Sequence, residues 1–359
     1  MRRSSTMFAL VFAVPFLVLK DARGQSLPTP TEAKAAFLRL LDRPKVPLDP
    51  KTKESLRDGK GLIAERVEFS SEKHPDGIVE HVPALVVRPE VVEGKRPAVI
   101  VLHGTGGNKE GGRSWLDDLA KRGIIGIAID GRFHGERAGG AKGAEAYNAA
   151  IVRAWKSKPG EPQTHPLYLD TCWDVWRTVD YLQSRPDVDP DRIGLIGISK
   201  GGIETWLAAS VDDRIKVAVP AISVQSFRWS LDNDQWQGRA RTINDAHLAA
   251  ARSLGKSKVD AEVCKALWTK IIPGMLDQFD CPNLLPLFAG RALLIINGEL
   301  DPNCPIEGAE VAFESARKAF KKAKADDKLK ISVAKGVGHA VTPEQRALAL
   351  DWFVRWLKP

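Results

Sequence analysis

The sequence predicts an α/β fold with a mostly parallel, doubly wound sheet. From residue 97 onward, short and uninterrupted apolar segments alternate with helical segments. Strands that lack a polar face are typical of a parallel sheet covered by helices on both sides. The composition agrees, because 359 residues with 43% apolar and 27% charged side chains are typical of a soluble globular protein. Disordered, collagen-like and disulfide-stapled classes are thereby excluded.

The elements of this core follow one another in the alternating order that such a sheet requires. The predicted strands are 98–102, 124–129, 193–198, 216–219, 292–296 and 329–333. The predicted helices are 114–121, 167–184, 201–210, 306–322 and 343–357. We therefore expect the core to comprise residues 96–222 and 291–359.

Two further segments flank or interrupt the core. Residues 25–95 form a predicted N-terminal extension, which holds an amphipathic helix over 31–41 with Thr31 as its N-cap and two strands over 62–69 and 79–87. Residues 223–290 contain helical windows, at 242–254 and 258–272, but no clear strand. We interpret this segment, the insertion, as a helical lid over one edge of the sheet.

The N-terminus has the three parts of a secretory signal peptide. Two arginines precede an apolar run over 8–19, and a small-x-small site follows at residues 22–24. Twelve apolar residues are too few for a membrane-spanning helix, which needs about 20. A buried N-terminal helix is the alternative, and Pro15 inside the run disfavours it. We expect residues 1–24 to be removed and the protein to be exported, either secreted or periplasmic.

The charge balance argues against nucleic-acid binding. The chain has 53 basic and 45 acidic residues, a net charge of +8, and the leader alone contributes four of the basic residues and one acidic residue. The cluster at 318–330 is interleaved with alanine and aspartate and is typical of a solvated helix face. We expect neither a nucleic-acid partner nor, after leader removal, a membrane partner.

The four cysteines (Cys172, Cys264, Cys281 and Cys304) leave the disulfide pattern open. An exported chain could form up to two disulfides from them, with three full pairings possible. Their spacing does not match that of metal ligands, so no metal site is expected.

The most specific local signal is Gly197-Ile198-Ser199-Lys200-Gly201, which lies between a predicted strand and a predicted helix. A serine at such a turn is held in a strained backbone conformation, and side chains two positions away would collide across it. Glycine at both positions removes the collision and presents the hydroxyl above the sheet. The pattern predicts Ser199 as a catalytic nucleophile rather than part of an incidental glycine-rich turn.

A serine nucleophile needs a base and an acid that orients the base. The order nucleophile, acid, histidine is met by Asp301 and His339, which follow the strands 292–296 and 329–333. Glu299 is the rival acid. Among the other histidines, His103 is expected to brace a loop, while His165 and His247 lie in sequence contexts that favour surface roles.

Backbone amides are expected to bind the oxyanion of the transition state. One is the N–H of Lys200, which directly follows the nucleophile. The other should come from the loop His103-Gly104-Thr105-Gly106-Gly107, with Thr105 as first choice and Gly106 as second. No cofactor is expected, because this chemistry needs none.

The chain resembles α/β-hydrolases of the dienelactone-hydrolase and prolyl-oligopeptidase-like type. The resemblance rests on the His-Gly loop, the segment Asp130-Gly131-Arg132-Phe133-His134-Gly135, the serine turn, Asp301 and His339, and it covers 96–222 and 291–357. More weakly, Phe227-Arg228-Trp229 and Asp232-Asn233-Asp234 in the insertion are similar to hydrolases of that group. The resemblance implies an α/β-hydrolase fold and serine hydrolase chemistry. Two features depart from it: Ser199 replaces the cysteine of dienelactone hydrolases proper, and the extension is too short for the propeller of prolyl oligopeptidases.

We therefore expect a serine hydrolase that cleaves a small-molecule or carbohydrate-linked carboxylic ester through an acyl-enzyme. The alternatives are a peptidase with the same triad and a non-catalytic binding module. Trp229, Phe227 and Trp236 are candidate substrate-binding residues, although they could equally form the core of the insertion.

Overall fold

The computed structural model describes residues 28–59 and 61–358, so the predicted signal peptide lies outside the described residues. The strands are β1 Lys51–Arg57, β2 Leu62–Lys73, β3 Val79–Pro89, β4 Arg96–Leu102, β5 Ile125–Ile129, β6 Val188–Ile198, β7 Ile215–Ala221, β8 Ala292–Gly298 and β9 Leu329–Ala334. The helices are α1 Pro30–Leu40, α2 Arg113–Ala120, α3 Glu145–Lys156, α4 Leu169–Ser184, α5 Lys200–Val211, α6 Phe227–Asp232, α7 Gln237–Arg241, α8 Asn244–Ser253, α9 Ala261–Ile271, α10 Cys281–Leu284, α11 Ile306–Lys322 and α12 Pro343–Leu357.

The strands form one nine-stranded sheet in the order β1-β2-β3-β5-β4-β6-β7-β8-β9. The six strands β5-β4-β6-β7-β8-β9 are parallel. Three antiparallel pairs precede them in the sheet: β1 with β2, β2 with β3, and β3 with β5. The prediction of a mostly parallel α/β sheet is thus confirmed. The strands of the N-terminal extension continue this sheet.

Helices cover both faces of the sheet, as the apolar strands require. Along β4, Ala98, Ile100 and Leu102 face one apolar cluster while Val99 and Val101 face the other. The smaller cluster lies against α2 and α12, and the larger one includes side chains from α1, α4, α5, α11 and the insertion. Alternate residues of one strand are therefore buried on opposite faces, which explains the lack of a polar face in the sequence.

The sheet has a topological switch point next to β4. The chain runs from β4 to β5 on one side and then crosses to β6 on the other side. Loops that leave the carboxyl ends of β4 and β6 meet at such a point, which is where open α/β sheets bind their ligands. The 103–107 loop and Ser199 therefore leave the sheet side by side.

Two details of the extension differ from the sequence prediction. The N-cap of α1 is Thr29 and not Thr31: the Thr29 hydroxyl accepts a bond from the Glu32 N–H at 3.3 Å and the Glu32 carboxylate accepts the Thr29 N–H at 2.8 Å. Pro30 occupies the first helical position, where a missing N–H is harmless. The strand β1 was not predicted, because all seven of its residues are exposed and show no apolar periodicity.

The insertion contains five helices, α6 to α10, and within it no strand is described. Its two predicted helical windows correspond to α8 and α9. The four cysteines, all within the described part of the chain, are buried and unpaired. Among residues 28–59 and 61–358, no helix is long and apolar enough to cross a membrane.

Candidate active site

The nucleophile turn, residues 197–201, joins β6 to α5. Ser199 has a φ of 57° and a ψ of −112°, a conformation that costs a non-glycine residue about 1–3 kcal/mol. The Ser199 N–H donates to the Ala221 carbonyl at 2.9 Å, which ties the turn to the end of β7. The first turn of α5 has no side-chain cap, so its backbone N–H groups remain available to a developing anion.

Close backbone packing makes the two flanking glycines necessary. A Cβ on Gly197 would lie 2.0 Å from the Gly201 carbonyl oxygen, and a Cβ on Gly201 would lie 2.5 Å from the Leu102 carbonyl oxygen. Both contacts are with backbone, which cannot rotate away. The sequence expectation that side chains would collide across this turn therefore agrees with the geometry.

Ser199, His339 and Asp301 form one chain of hydrogen bonds. His339 Nε2 lies 2.8 Å from Ser199 Oγ, and His339 Nδ1 lies 2.7 Å from Asp301 Oδ2. An ionised carboxylate only accepts, so Nδ1 carries the proton and Nε2 is free to accept the serine proton. The Asp301 side chain is fully buried, whereas that of His339 is 26% exposed. The imidazole can therefore be reached from solvent while its carboxylate partner cannot.

The acid loop, residues 299–305, and the histidine loop, residues 335–342, are joined by backbone contacts. The Leu300 N–H donates to the Val337 carbonyl at 2.8 Å, and a Cβ on Gly298 would lie 2.2 Å from the Gly338 carbonyl oxygen. The carboxylate of Glu299 accepts the Gly336 N–H at 2.7 Å. The rival acid thus holds the histidine loop, and the carboxylate in contact with His339 is that of Asp301.

The 103–107 loop lies against Ser199. A Cβ on Gly104 would lie 3.6 Å from the Cβ of Ser199, and Gly106 has a φ of 78°. His103 fixes the loop: its Nδ1 lies 2.7 Å from the Gly104 carbonyl, and its Nε2 accepts the Gly131 N–H at 3.0 Å. Burial, with the positive charge of Lys200 as a second cause, lowers the pKa of His103 to about 4, so the ring stays neutral and keeps both bonds. This is the bracing role that the sequence predicts for His103.

The segment after β5, residues 130–135, is structural. The carboxylate of Asp130 accepts the Lys109 N–H at 2.8 Å and the Glu136 N–H at 3.0 Å, and it pairs with the Lys109 ammonium at 3.0 Å. Arg132 is buried and pairs with Asp174 of α4 at 2.8 Å. These contacts position Gly131, whose N–H holds His103.

The side chain of Lys200 points into the protein, beneath the nucleophile turn. It is 1% exposed, and its ammonium lies 2.5 Å from Glu204 Oε1 and 5.4 Å from the centre of the Tyr147 ring. A Cβ on Gly131 would lie 2.9 Å from the same ammonium nitrogen. The side chain therefore faces away from any reacting group, and the part of Lys200 that lies next to Ser199 is its backbone.

A cavity of about 250 Å³ borders the 103–107 loop. Its lining residues are Val101–Gly104, Gly107, Asn108, Gly111, Gly112, Trp115 and Ile198. All of these residues belong to the core and none belongs to the insertion. None of the three aromatic residues predicted to bind substrate lines this cavity.

Those three aromatic residues occupy different environments. Phe227 is 1% exposed and packs edge-on against Trp268, with ring centres 5.4 Å apart. The ring of Trp229 covers Gly308, where a Cβ would lie 2.7 Å from it, and Trp236 is partly exposed and donates its indole N–H to Asp234 at 2.8 Å. Phe227 therefore packs in the core of the insertion, the alternative that the sequence left open, and its contact with substrate stays a prediction.

The sequence reasoning also misplaced His247. It is fully buried, and its Nε2 accepts the indole N–H of Trp268 at 3.1 Å while its Nδ1 lies 3.2 Å from the Ile243 carbonyl. A histidine at an apolar helix position is typical of such a buried pair, and this was the signal available in the sequence. His247 therefore stabilises the insertion and does not lie on the surface.

The residue that the sequence reasoning missed at the site is Arg239. It lies on α7 of the insertion, is 3% exposed and donates to the Asn303 carbonyl of the acid loop at 2.9 Å. No local pattern marks it, because its partner is 64 positions away. Within residues 28–59 and 61–358, no group of three or more metal-binding side chains is found.

Known structures share this architecture over almost the whole chain. Acetyl xylan esterase 1 from Thermoanaerobacterium sp. JW/SL YS485 is similar with a TM-score of 0.66 and 22% identity, over 93% of this chain and 96% of that one. A glucuronoyl esterase from Solibacter usitatus is similar with a TM-score of 0.64 and 16% identity, over 98% and 99% of the two chains. At these identities the likeness shows the fold. The chain has an α/β-hydrolase fold.

Sequence comparison supports the same assignment. Residues 64–230 of the chain match the acetyl xylan esterase (AXE1) family model. The putative hydrolase YtaP of Bacillus subtilis (strain 168) is 27% identical over 291 residues, which is 77% of this chain and 84% of that protein. Taken together, these matches support a carboxylic ester hydrolase.

Proposed function

We propose that this α/β-hydrolase is a serine carboxylic ester hydrolase with Ser199 as nucleophile, His339 as base and Asp301 as the acid that orients it. The observation that carries the proposal is the continuous hydrogen-bond chain from the buried Asp301 carboxylate through His339 to the strained Ser199. A module that only binds has no need for a hydroxyl aligned with a base in this way.

The first half of the reaction forms an acyl-enzyme. Ser199 Oγ attacks the ester carbonyl carbon while its proton passes to His339 Nε2. The backbone N–H groups of Lys200 and Thr105 bind the resulting oxyanion, and each such donor is worth about 2.7–4 kcal/mol. When the tetrahedral intermediate collapses, the bond between carbon and alcohol oxygen breaks, and the proton on His339 Nε2 moves to the leaving alcohol.

The second half returns the serine. A water molecule gives one proton to His339 Nε2 and attacks the acyl carbon, and collapse of the second intermediate releases the carboxylic acid. The proton on the imidazole returns to Ser199 Oγ. Throughout, Asp301 holds the Nδ1 proton and stabilises the imidazolium, so that Nε2 always faces the serine and the substrate.

The substrate class that we propose is a carbohydrate-linked ester with a short acyl group, and the protein is proposed to act after export. The support is the AXE1 family match over 64–230 and the similarity to an acetyl xylan esterase. The leader pattern over residues 1–24 supports export. Export also agrees with the proposed substrate, because an esterase of plant polysaccharide meets its polymer outside the cell.

A fluorophosphonate probe tests the chemistry. It should label the wild-type protein at Ser199 and leave Ser199→Ala unlabelled, with equal thermal unfolding curves for the two proteins. Absence of labelling in a folded wild-type sample would remove both the esterase and the peptidase from consideration. A higher kcat/KM on aminoacyl p-nitroanilides than on p-nitrophenyl esters would instead favour the peptidase.

A second comparison tests the substrate class. We expect kcat/KM to fall as the acyl chain of p-nitrophenyl esters lengthens beyond acetate, and acetate to be released from acetylated xylan. Equal rates on long and short chains, with no acetate released from the polymer, would leave the ester chemistry in place and refute the acetylated carbohydrate.

A further inference from the structure

A buried arginine of the insertion lies against the acid loop. Arg239, on α7, is 3% exposed. Its Nη2 donates to the Asn303 carbonyl at 2.9 Å and contacts the sulfur of Cys304 at 3.2 Å. Asn303 in turn donates its N–H to Asp301 Oδ1 at 2.8 Å. One guanidinium thus holds the two residues that follow Asp301 and Pro302 in the acid loop.

The backbone of α7 supports this contact. A Cβ on Gly238 would lie 1.9 Å from the Pro302 carbonyl oxygen and 2.9 Å from the Asn303 nitrogen. The helix and the acid loop therefore touch backbone to backbone, with no side chain between them. Together with Arg239, this contact makes the acid loop an interface of the insertion and not a free surface loop.

The charge of Arg239 is unusual for a buried arginine. Within residues 28–59 and 61–358, none of the carboxylates lies within ion-pair distance of it. Burial lowers the pKa of the guanidinium, but interactions with Cys304, Tyr168 and Asp301 outweigh burial and hold that pKa above its ordinary value. Burial raises the pKa values of Cys304 and Tyr168 to about 12, so these two groups are neutral at neutral pH. Buried charges are normally paired. The carboxylate linked to Arg239 through the acid loop is that of Asp301, which accepts the N–H of the same Asn303 that Arg239 contacts.

We propose that Arg239 is a positioning residue for the ester hydrolysis: its guanidinium fixes the acid loop, and its positive charge opposes protonation of His339 through Asp301. The inference deepens the proposed function and rests on it. The insertion then serves the active site as a brace that completes the acid loop, in addition to any role as a lid.

Two consequences follow from elementary electrostatics. Removing a buried positive charge near the Asp301–His339 pair makes the imidazolium easier to form, so the pKa of His339 rises. Activity is then lost at a higher pH as the solution is acidified. Removing the two hydrogen bonds while keeping the charge loosens the acid loop but leaves that titration in place. Arg239→Lys keeps the charge but loses the hydrogen bonds of the planar guanidinium, whereas Arg239→Gln loses both the charge and those hydrogen bonds.

The experiment measures kcat/KM against pH for wild type, Arg239→Gln, Arg239→Met, Arg239→Lys and Arg241→Gln. Arg241 lies on the same helix and is exposed, so it is the matched control. The acid limb of this profile reports the free histidine. We expect the limb to move up by roughly half a pH unit or more in the two neutral variants and to stay in place in Arg239→Lys and Arg241→Gln. We also expect kcat to fall roughly 10- to 100-fold in the neutral variants, and less in Arg239→Lys.

A limb that stays at the wild-type pH in folded Arg239→Gln and Arg239→Met would overturn the proposal, even if both proteins melt at lower temperature. A limb that moves equally in Arg241→Gln would overturn it as well. If Arg239→Gln does not fold, Arg239→Met still removes the charge while keeping an apolar stem over the Phe227 ring, which the guanidinium faces at 5.6 Å.

Nitrogen-15 NMR titration of His339 separates this inference from the proposed function. Suppose that the titration midpoint of His339 is higher in Arg239→Gln than in the wild type, and that the wild type neither hydrolyses esters nor reacts with fluorophosphonate. This result would leave the charge coupling in place and refute the esterase. An unchanged midpoint in an active esterase would refute the coupling alone.

Discussion

The nucleophile turn and the acid loop are held in place by different means. The nucleophile turn is fixed by its own neighbourhood, because Gly197 and Gly201 bring its backbone against itself and against the end of β4. The acid loop, which also contacts the histidine loop, is supported from a distance in sequence by Gly238 and Arg239 of the insertion. Both regions deliver a side chain to the same imidazole, yet only the first carries its geometry in its own few residues.

This difference explains why the two regions should respond differently to substitution. In the nucleophile turn a single methyl group collides with backbone that cannot rotate away. The geometry of the acid loop depends on its packing against α7 of the insertion. The loop and α7 can separate partly before the Asp301 carboxylate loses its contact with His339. The predictions below use matched pairs of variants to measure how far each region depends on its support.

The largest effect is expected at the acid itself. Asp301→Asn should lower kcat roughly 10³- to 10⁴-fold, because the amide N–H donates to Nδ1 and the imidazole proton then lies on Nε2, which can no longer accept the serine proton. Glu299→Gln is the control, since an amide oxygen can still accept the Gly336 N–H, and it should retain kcat within about threefold. Steady-state kinetics on p-nitrophenyl acetate measure both. If Glu299→Gln lost more activity than Asp301→Asn, the assignment of the acid would be reversed.

A methyl group in the nucleophile turn should have the next largest effect. Gly201→Ala places its Cβ 2.5 Å from the Leu102 carbonyl oxygen, so either the strand end or the turn must move. We expect a loss of about 3 kcal/mol in the free energy of unfolding and little fluorophosphonate labelling. Gly111→Ala is the matched control, because a Cβ there has open space around it. Urea unfolding of both proteins checks the prediction, and equal midpoints would show that the turn tolerates displacement.

The same substitution at the distant support should cost less. Gly238→Ala sets a Cβ against the Pro302 carbonyl, and α7 can shift away from the acid loop as a unit. We expect about 2 kcal/mol of lost stability and a fall in kcat of roughly tenfold, with KM nearly unchanged. Urea unfolding and steady-state kinetics measure the two effects. Full activity in a destabilised Gly238→Ala would mean that the acid loop keeps its position without the insertion.

The contrast between local and distant support also explains which features could be predicted from the sequence. Ser199 and its glycines were identifiable because the requirement is local: strand, turn and helix are consecutive. Asp301 and His339 followed from their order and from their places after predicted strands. The parallel sheet followed from apolar segments such as 98–102, whose residues are buried on both faces.

The remaining features depend on contacts between distant residues or on patterns without apolar periodicity. The strand β1 is exposed along its whole length. The N-cap of α1 lies two residues earlier than expected, because Thr29 and Glu32 form a capping box and Pro30 takes the first helical position. That capping signal was present in the sequence. Arg239 gave no signal, since a buried arginine and an exposed one look alike until the residue against which it packs is known.

The smallest effect concerns the stability of the insertion in mild acid. Burial lowers the pKa of His247 to about 4, below its ordinary value of 6.5. The neutral ring accepts the Trp268 N–H. The unfolded chain therefore binds the extra proton first: the contribution of His247 to stability is complete above pH 6.5 and decreases as the pH falls toward 4. Between pH 7 and pH 5 this loss should amount to about 2 kcal/mol. Asp280 acts in the opposite direction, since burial raises its pKa to about 6.

Comparison with His247→Gln isolates the histidine, because glutamine can accept the same N–H without titrating and the contribution of Asp280 is common to both proteins. We expect the wild type to lose more stability than the variant between pH 7 and pH 5, as measured by urea unfolding at each pH. If esterase activity and unfolding decline together in the wild type but not in the variant, the insertion supports the acid loop in acid as well as at neutral pH. Parallel stability curves for the two proteins would mean that His247 does not titrate in this range, and that the acid sensitivity of the fold resides in the core, where His103 is held neutral by the same kind of burial.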